Sequence, residues 1–406
     1  MDFSKDLKQL LSKSSRSRSL STFAVVAESQ DKQPPLSLKF GEPAYSLYPM
    51  TSIEISRNQG TIKVPQLSKD KTSISKDMGY TAFKGTSELL DRITSFVAHC
   101  FPPKYKNWSP IVTTDHCNSI AKILESFVDE SDVILVDTQL DLDVAHLLSV
   151  CKPNIHFINL NQIYGSEPNA TKLSKLLENW RRFYPYKNHP KLLLTATYGL
   201  TGIPQSDTTM KEVLKFADIY NFMVVETSTF PEGVSYLKHD SKGRVISAQS
   251  FRHFNLDLAF IIAHDTIVTA IESYAEFTTT SPSGMSQIIA NGVLSSMNDW
   301  KGWQESLREI SLYYKHRRKQ VQDTLQDVVH IKGCLGNYCG IICKDDASKF
   351  AENGMHLTQG QELNEYFSSL FQQKYTIVPD DLLLISLSYN IPEEEFSEAL
   401  KKMEGY

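Results

Sequence analysis

Two histidines, each close to a carboxylate, are the residues best suited to chemistry in this sequence. Asp115, His116 and Cys117 place an acid, an imidazole and a thiol in a row, and His253 shortly precedes Asp257. Imidazole titrates near neutral pH, so His116 and His253 are candidate acid–base residues if the fold brings them to one cleft. A lone histidine specifies little, and a structural role for each stays open.

The same side chains contain the donor atoms of a metal site. Zinc ligands must converge on one ion at ~2.0–2.2 Å. Nothing in the spacing of Asp115, His116, His253 and Asp257 enforces that convergence. We therefore expect these residues to form a polar pocket at most, without a metal.

The elements that must position these residues alternate between strands and helices. An extended segment at 111–114 precedes an amphipathic run at 118–128, and an apolar run follows at 132–137. The alternation continues with apolar segments at 156–160, 191–195 and 222–226 and amphipathic segments at 171–183 and 208–220. Apolar strands separated by helices predict an α/β fold with a mostly parallel sheet covered on both faces.

The two ends of the chain have a different character. Leucines at helical spacing over 2–11 predict a helix, and the Ser/Arg-rich stretch 12–21 predicts a mobile link. Long helical patterns follow residue 265, including 304–329, whose basic run 315–319 we interpret as a solvated face. Short strands at 328–331, 340–343 and 382–388 and a helix at 393–403 complete a smaller α+β lobe. We predict an N-terminal arm at 1–50, a large α/β domain at 51–295 and a small domain at 296–406.

Composition narrows the function classes. The chain has 406 residues, of which 41% are hydrophobic and 22% charged, as in an ordinary globular protein. Its net charge of -5 gives no sign of the excess positive charge that proteins use to bind nucleic acids or anionic membranes. No run of ~18 apolar residues and no signal-peptide pattern is evident. We expect a cytoplasmic protein whose partners are small molecules or proteins.

Several stretches match the motifs of a known family. They are Phe40-Gly-Glu-Pro43 with Tyr48-Pro49, the segment Tyr80 to Gly85, and 240–251, in which Gly243-Arg-Val-Ile246 precedes Ser250-Phe251. In their order along the chain and in their amino-acid sequence, these stretches resemble fold type I pyridoxal-phosphate aminotransferases, in particular the fungal aromatic-amino-acid and 2-aminoadipate aminotransferases. The resemblance covers nearly the whole chain. It implies the two-domain fold of that family and a dimer.

The residue that carries the family's chemistry is different here. The stretch 240–251 resembles the strand that leads into Thr-Phe-Ser-Lys, whose lysine bonds the cofactor and moves the substrate's α-proton. Here Arg252 and His253 follow Ser250-Phe251, and His253 stands at the lysine position. The arginine of the family's Pro-Gly-x-Arg falls on Asp257, where a carboxylate would repel the cofactor phosphate.

The other cofactor positions that the resemblance implies have also changed. Thr227 and Phe230 replace the aspartate and tyrosine of Glu-Asp-Asp-Pro-Tyr, and Gly199 replaces the asparagine of Asn-Pro-Thr-Gly. Asp115-His116-Cys117 replaces the small Gly-Asn-Thr at the phosphate-binding helix N-terminus. We expect Asp115 to cap that helix and satisfy the amides that the phosphate would use.

On the substrate side, the resemblance assigns Tyr80 to the family's substrate-binding turn and Ser386 to the position of the arginine that binds the substrate carboxylate. These departures lead us to expect no cofactor. Three functions stay open. The first is a pseudo-aminotransferase that acts as a binding or regulatory subunit, as a homodimer or paired with an active homologue. The second is a repurposed enzyme, independent of pyridoxal phosphate, that acts on an amino-acid-like intermediate through His253. The third is a residual aromatic-amino-acid aminotransferase that uses another lysine.

Overall fold

A computed structural model describes residues 3–19, 52–57, 60–63, 82–136, 156–160, 170–197, 205–228, 234–335, 338–343, 357–371, 380–387 and 391–405. Of the predicted site residues, Tyr80, Gly199 and Phe230 lie outside these ranges.

The helices of the described ranges are α1 (Ser4–Leu10), α2 (Lys13–Ser17), α3 (Ser87–Cys100), α4 (His116–Phe127), α5 (Ala170–Glu178), α6 (Trp180–Phe183), α7 (Asp207–Tyr220), α8 (Asp265–Thr278), α9 (Gly284–Ser296), α10 (Trp300–Leu325), α11 (Gly360–Phe371) and α12 (Glu393–Glu404). The strands are β1 (Glu54–Arg57), β2 (Gly60–Lys63), β3 (Trp108–Thr113), β4 (Val133–Val136), β5 (His156–Asn159), β6 (Pro190–Ala196), β7 (Met223–Ser228), β8 (Val245–Ser250), β9 (Ala259–His264), β10 (Val329–Leu335), β11 (Tyr338–Cys343), β12 (Thr358–Gln359) and β13 (Leu383–Ser386).

The chain forms two compact units. Unit 1 comprises residues 1–129 and 229–307, and unit 2 comprises 130–228 and 308–406. In unit 1, β9 pairs antiparallel with both β3 and β8, and every residue of β8 and β9 is buried. Helix α4 packs against α8, and α3 packs against α9. Strand β9 is apolar up to its last residue, as expected of a strand buried along its whole length, whereas β8 carries three polar residues.

Unit 2 holds the parallel strands that the sequence predicted. Strand β6 pairs in parallel with β4 and β7, and β4 pairs in parallel with β5. A separate antiparallel sheet has the order β10-β11-β13-β12. The predicted α/β class with a mostly parallel sheet is confirmed. The domain boundaries at 50 and 295 stay a prediction.

Two local predictions are wrong in detail. The helix predicted at 171–183 is broken at Asn179 into α5 and α6. Residues 13–17, predicted to belong to a mobile link, form the short helix α2, and the Ser12 side chain caps it by accepting from the Ser15 amide at 3.1 Å. Because Ser is a favoured N-cap residue, the Ser-rich composition that suggested a link also supports a helix start.

A carboxylate and a glycine shape the turn that leads into β8. The buried Asp240 side chain accepts from the amides of Lys242 at 3.0 Å and Val245 at 2.9 Å. Burial raises the pKa of Asp240, and the backbone hydrogen bonds offset part of that shift. Gly243 has φ +75, and a Cβ there would lie 3.1 Å from the His264 side chain. This position therefore requires glycine.

The interpretation of residues 315–319 as a solvated face is wrong for Arg317, which is 1% exposed. Its Nη2 donates to the Ile391 carbonyl at 2.7 Å and lies 3.1 Å from the Glu393 carboxylate. The guanidinium also packs over the Phe396 ring at 4.1 Å. Arg317 thus joins α10 to α12. The other residues of the basic run 315–319 are more exposed than Arg317.

None of the helices in the described ranges combines the length and the apolar character that crossing a bilayer requires.

Candidate functional site

Unit 1 brings most of the predicted site residues to one edge of its strands. Thr113, at the end of β3, and Ser250, at the end of β8, both pair with Ala259, at the start of β9. The segments that continue from these three residues therefore begin at the same edge. They carry Asp115-His116-Cys117, Arg252-His253 and Asp257 respectively.

The predicted helix cap at Asp115 is present. Asp115 is the N-cap of α4, and its Oδ1 accepts from the Asn118 amide at 2.7 Å. Its backbone carbonyl accepts from the Ser119 amide at 3.1 Å. The Asp115 carboxylate thus binds the Asn118 amide at the helix end where, by resemblance, a cofactor phosphate would bind. A negative charge at this helix end is favourable.

His116 and His253 differ in exposure. His116, in the first turn of α4, is 8% exposed, whereas His253 is half-buried. His253 lies in the 3₁₀ helix Arg252–Phe254, which ends at Asn255 in the left-handed conformation with φ 57. Asn tolerates that conformation better than most residues, so the tight turn agrees with the sequence.

An aromatic cluster holds the turn that carries His253. The fully buried Phe251 ring stacks on Trp303, with ring centroids 5.7 Å apart, and meets Phe260 at 5.1 Å. Phe254 lies 6.4 Å from Trp303 and presents its ring to His253 at 4.9 Å in an edge-to-face arrangement. Phe251 and Phe254 therefore fix the position of His253 from within unit 1.

Arg252 and Asp257 are exposed. The Arg252 amide donates to the Ser250 hydroxyl at 3.1 Å, which shapes the exit from β8. Cys117 is half-buried and follows His116 in the first turn of α4. The site roles assigned to these residues stay predictions.

In unit 2, Thr227 lies at the carboxyl end of β7, opposite Ala196 at the end of β6. Ligands of open α/β sheets bind at this edge. Thr227 is buried, and its hydroxyl donates to the Thr195 carbonyl at 3.4 Å. By resemblance, Thr227 stands where an aspartate would pair with the protonated ring nitrogen of pyridoxal phosphate, and a neutral threonine offers that nitrogen no ionic partner.

The neighbouring residue, Glu226, is a buried carboxylate that the sequence reasoning passed over. It is 0% exposed and accepts from the Thr197 hydroxyl at 2.6 Å. Gln205 extends the network by donating to the Thr195 hydroxyl at 3.0 Å and to the Ala196 carbonyl at 2.9 Å. The sequence signal for this network was Glu226 itself, a charged residue at the end of an apolar strand. A charged group is buried at such a position only when it has hydrogen-bond partners.

Lys122 is a second ionisable group that the sequence did not single out. It is 3% exposed, its Nζ donates to the Thr279 hydroxyl at 2.8 Å, and it lies 5.7 Å from the centre of the Tyr274 ring. Burial lowers the pKa of Lys122 to about 8, and the charge of Asp115 offsets part of that shift.

Ser386 is the last residue of β13, where it pairs with Tyr338. It is half-buried, and its substrate-binding role stays a prediction. Within the described ranges, no three His, Cys, Asp or Glu side chains are placed to hold one metal ion.

Solved structures show the fold of this protein. The aromatic aminotransferase Aro9 from C. albicans matches with a TM-score of 0.81 at 20% identity, covering 98% of this chain and 96% of that chain. A kynurenine aminotransferase from Pyrococcus horikoshii matches with a TM-score of 0.67 at 17% identity, covering 98% and 97%. The chain therefore has the fold of the type I pyridoxal-phosphate aminotransferases.

Within that class, the chain is similar to fungal aromatic amino acid aminotransferases, as the sequence predicted. Aromatic amino acid aminotransferase 2 of Saccharomyces cerevisiae is 22% identical over 386 residues, which cover 77% of this chain and 75% of that protein. An aromatic amino acid aminotransferase of Schizosaccharomyces pombe is 24% identical over 357 residues, covering 76% and 74%. No family model matches the chain.

The expectation of no cofactor is wrong. The relatives and structural neighbours are aminotransferases, and the Pyrococcus horikoshii enzyme was solved in complex with PMP. Pyridoxal phosphate is therefore the cofactor that the fold implies.

The residues that stand at the cofactor positions by resemblance differ in chemistry from the groups that would hold this cofactor. Asp115 is a carboxylate at a helix N-terminus, Thr227 is neutral, and His253 carries an imidazole instead of a primary amine. The misfit lies in these residues and not in the fold.

Proposed function

We propose that this chain is a pseudo-aminotransferase, a binding or regulatory subunit that keeps the aminotransferase fold without performing transamination at position 253. The observation that carries the proposal is His253 at the exit of β8, fixed there by Phe251 and Phe254. An imidazole cannot bond the cofactor aldehyde as a lysine amine does. The proposal concerns the chemistry at this position, and pyridoxal phosphate is the first ligand to test.

The helix-capping role of Asp115 also supports the proposal that this chain is a pseudo-aminotransferase. Its carboxylate already binds the Asn118 amide at 2.7 Å. A dianionic phosphate at this helix end would have to displace a bound carboxylate and overcome its charge. By resemblance, a homodimer or a heterodimer with an active homologue is the proposed assembly.

Absorbance and borohydride reduction test the proposal. The purified chain is mixed with pyridoxal phosphate and an aromatic amino acid, and the absorbance between roughly 330 and 430 nm is followed. We expect no conversion above the rate of free pyridoxal phosphate. Conversion above that rate, together with a reduced lysine adduct found by peptide mapping, would overturn the proposal.

Two variants sharpen the result. His253→Lys returns a primary amine to the exit of β8 and serves as the positive control for adduct formation. His253→Ala is expected to leave folding intact, because the ring is half-buried and lies in a short 3₁₀ helix between β8 and β9. Loss of the folded protein would point to a structural role for His253.

A second candidate is a residual aromatic-amino-acid aminotransferase in which a different lysine bonds the cofactor. The names of the relatives favour it, since those proteins are aromatic amino acid aminotransferases. The same peptide map separates the two candidates: an adduct at a lysine, combined with turnover of phenylalanine or tyrosine, supports the second.

A further inference from the structure

Helix α2, in the Ser/Arg-rich segment, is anchored to the end of α4. The Ser12 amide donates to the Ser126 carbonyl at 2.8 Å, and the Ser12 hydroxyl donates to the Glu125 carbonyl at 3.0 Å. The Lys13 amide donates to both carboxylate oxygens of Asp129, at 3.1 and 3.2 Å. These bonds give the segment a defined position on unit 1.

Arg18, immediately after α2, presents a guanidinium to one serine of this helix. Its Nη2 donates to the Ser14 hydroxyl at 3.2 Å, and its guanidinium carbon lies 4.7 Å from the centre of the Tyr274 ring. The ring fixes the guanidinium plane by a cation–π contact. Among the described residues, Arg18 Nη1 is buried and has no hydrogen-bond partner. Nη2 is therefore the donor of this fixed guanidinium that faces Ser14.

The serines of the helix are not equivalent. Ser15 is buried, and Ser12 is engaged as the cap. Ser17 is exposed, but its hydroxyl donates to the Ser14 carbonyl at 2.8 Å. Ser14 is exposed, its hydroxyl lies 3.1 Å from the Ser12 hydroxyl, and it is the one of these four whose hydroxyl also lies beside Arg18.

We propose that Ser14 is a phosphorylation site and that Arg18 binds its phosphate. A protein kinase would transfer the terminal phosphoryl group of a nucleoside triphosphate to Ser14 Oγ. The bond to the diphosphate breaks, the Oγ–P bond forms, and the hydroxyl proton leaves to the kinase base.

The phosphate adds three acceptor oxygens next to the guanidinium, so Nη2, which now donates to a neutral hydroxyl, would donate to a charged group in a stronger charge-assisted pair. The exposed side chains of Lys13 and Arg16 add positive charge, which opposes the negative charge of the Asp129 carboxylate at the Lys13 amide. A helix of five residues is marginal by itself and depends on the bonds that anchor it to α4, so α2 would have to leave α4 to enter a kinase groove. Phosphorylation then fastens α2 to unit 1. This inference does not rest on the proposed function.

The test uses full-length chain with phosphoserine placed at position 14 during synthesis. Amide hydrogen exchange over residues 13–18 should slow about tenfold relative to the unmodified chain, the effect of one added charge-assisted hydrogen bond. Phosphorus NMR should give a second phosphate pKa below its usual value of ~6, because Arg18 stabilises the dianion. Both effects should disappear in Arg18→Gln.

Phosphoserine at position 17 is the matched control, since Ser17 is an exposed serine of the same helix, and it should not slow exchange. Treatment of the unmodified chain with ATP and the catalytic domain of protein kinase C should place phosphate on Ser14. Unchanged exchange, an effect that survives Arg18→Gln, or phosphate on other serines without Ser14 would each overturn the proposal.

Discussion

Replacing Lys122 by methionine should remove a pH dependence from the stability of the chain. Burial lowers the pKa of this lysine from 10.5 to about 8. The unfolded chain keeps the proton up to the ordinary pKa, so unfolding takes up a proton between about pH 8 and 10.5. The free energy of unfolding therefore rises with pH across this window, and the lysine lowers stability most below it. The full effect corresponds to roughly 3 kcal/mol, at about 1.4 kcal/mol per pKa unit.

Urea unfolding of the wild type and Lys122→Met, followed by circular dichroism from about pH 7 to about pH 10.5, measures this effect. The stability of the variant minus that of the wild type should fall by roughly 3 kcal/mol across the window. Lys211→Met removes an exposed lysine of α7 and is the control, for which the difference should stay nearly constant. A constant difference for Lys122→Met as well would refute the reasoning.

A substitution of Asp115 gives a second test of what sets the pKa of Lys122. Its charge raises the pKa of Lys122 and opposes the effect of burial. Asp115→Asn keeps a capping side chain but removes the charge, so the window of rising stability should extend below pH 8. An unchanged window would show that Asp115 does not influence the lysine.

Three further substitutions test the packing. Gly243→Ala should cost about 1–3 kcal/mol because of the positive φ and the 3.1 Å approach to His264, whereas Gly405→Ala, with ordinary φ and more open space, should cost less than about 0.5 kcal/mol. Asp115→Ala should cost about 1 kcal/mol through the lost helix cap, and Asp115→Asn much less. Arg317→Met should cost about 2 kcal/mol, since it leaves the Ile391 carbonyl without its donor. Urea unfolding at neutral pH measures each value. Equal costs within either matched pair, or a neutral Arg317→Met, would contradict the corresponding contact.

The sequence by itself determined the order and type of most elements. Strands buried along their length, such as β4, appear as apolar runs, and helices with one buried face appear as periodic ones. It also determined the resemblance to the aminotransferases and the identity of the side chain at position 253. The cap at Asp115 was predictable because a cap involves residues adjacent in the chain.

Tertiary structure alone decided which polar side chains are buried and what they contact. Arg317 reads as part of an exposed basic run, but its acceptor at Ile391 lies 74 positions away. Lys122 looks like an ordinary helix lysine, and its partner Thr279 is 157 positions distant. Local periodicity reports the face of a helix and carries no information about which distant group that face meets. Contacts between residues far apart in the chain set the pKa of Lys122 and the position of Arg18 over Tyr274.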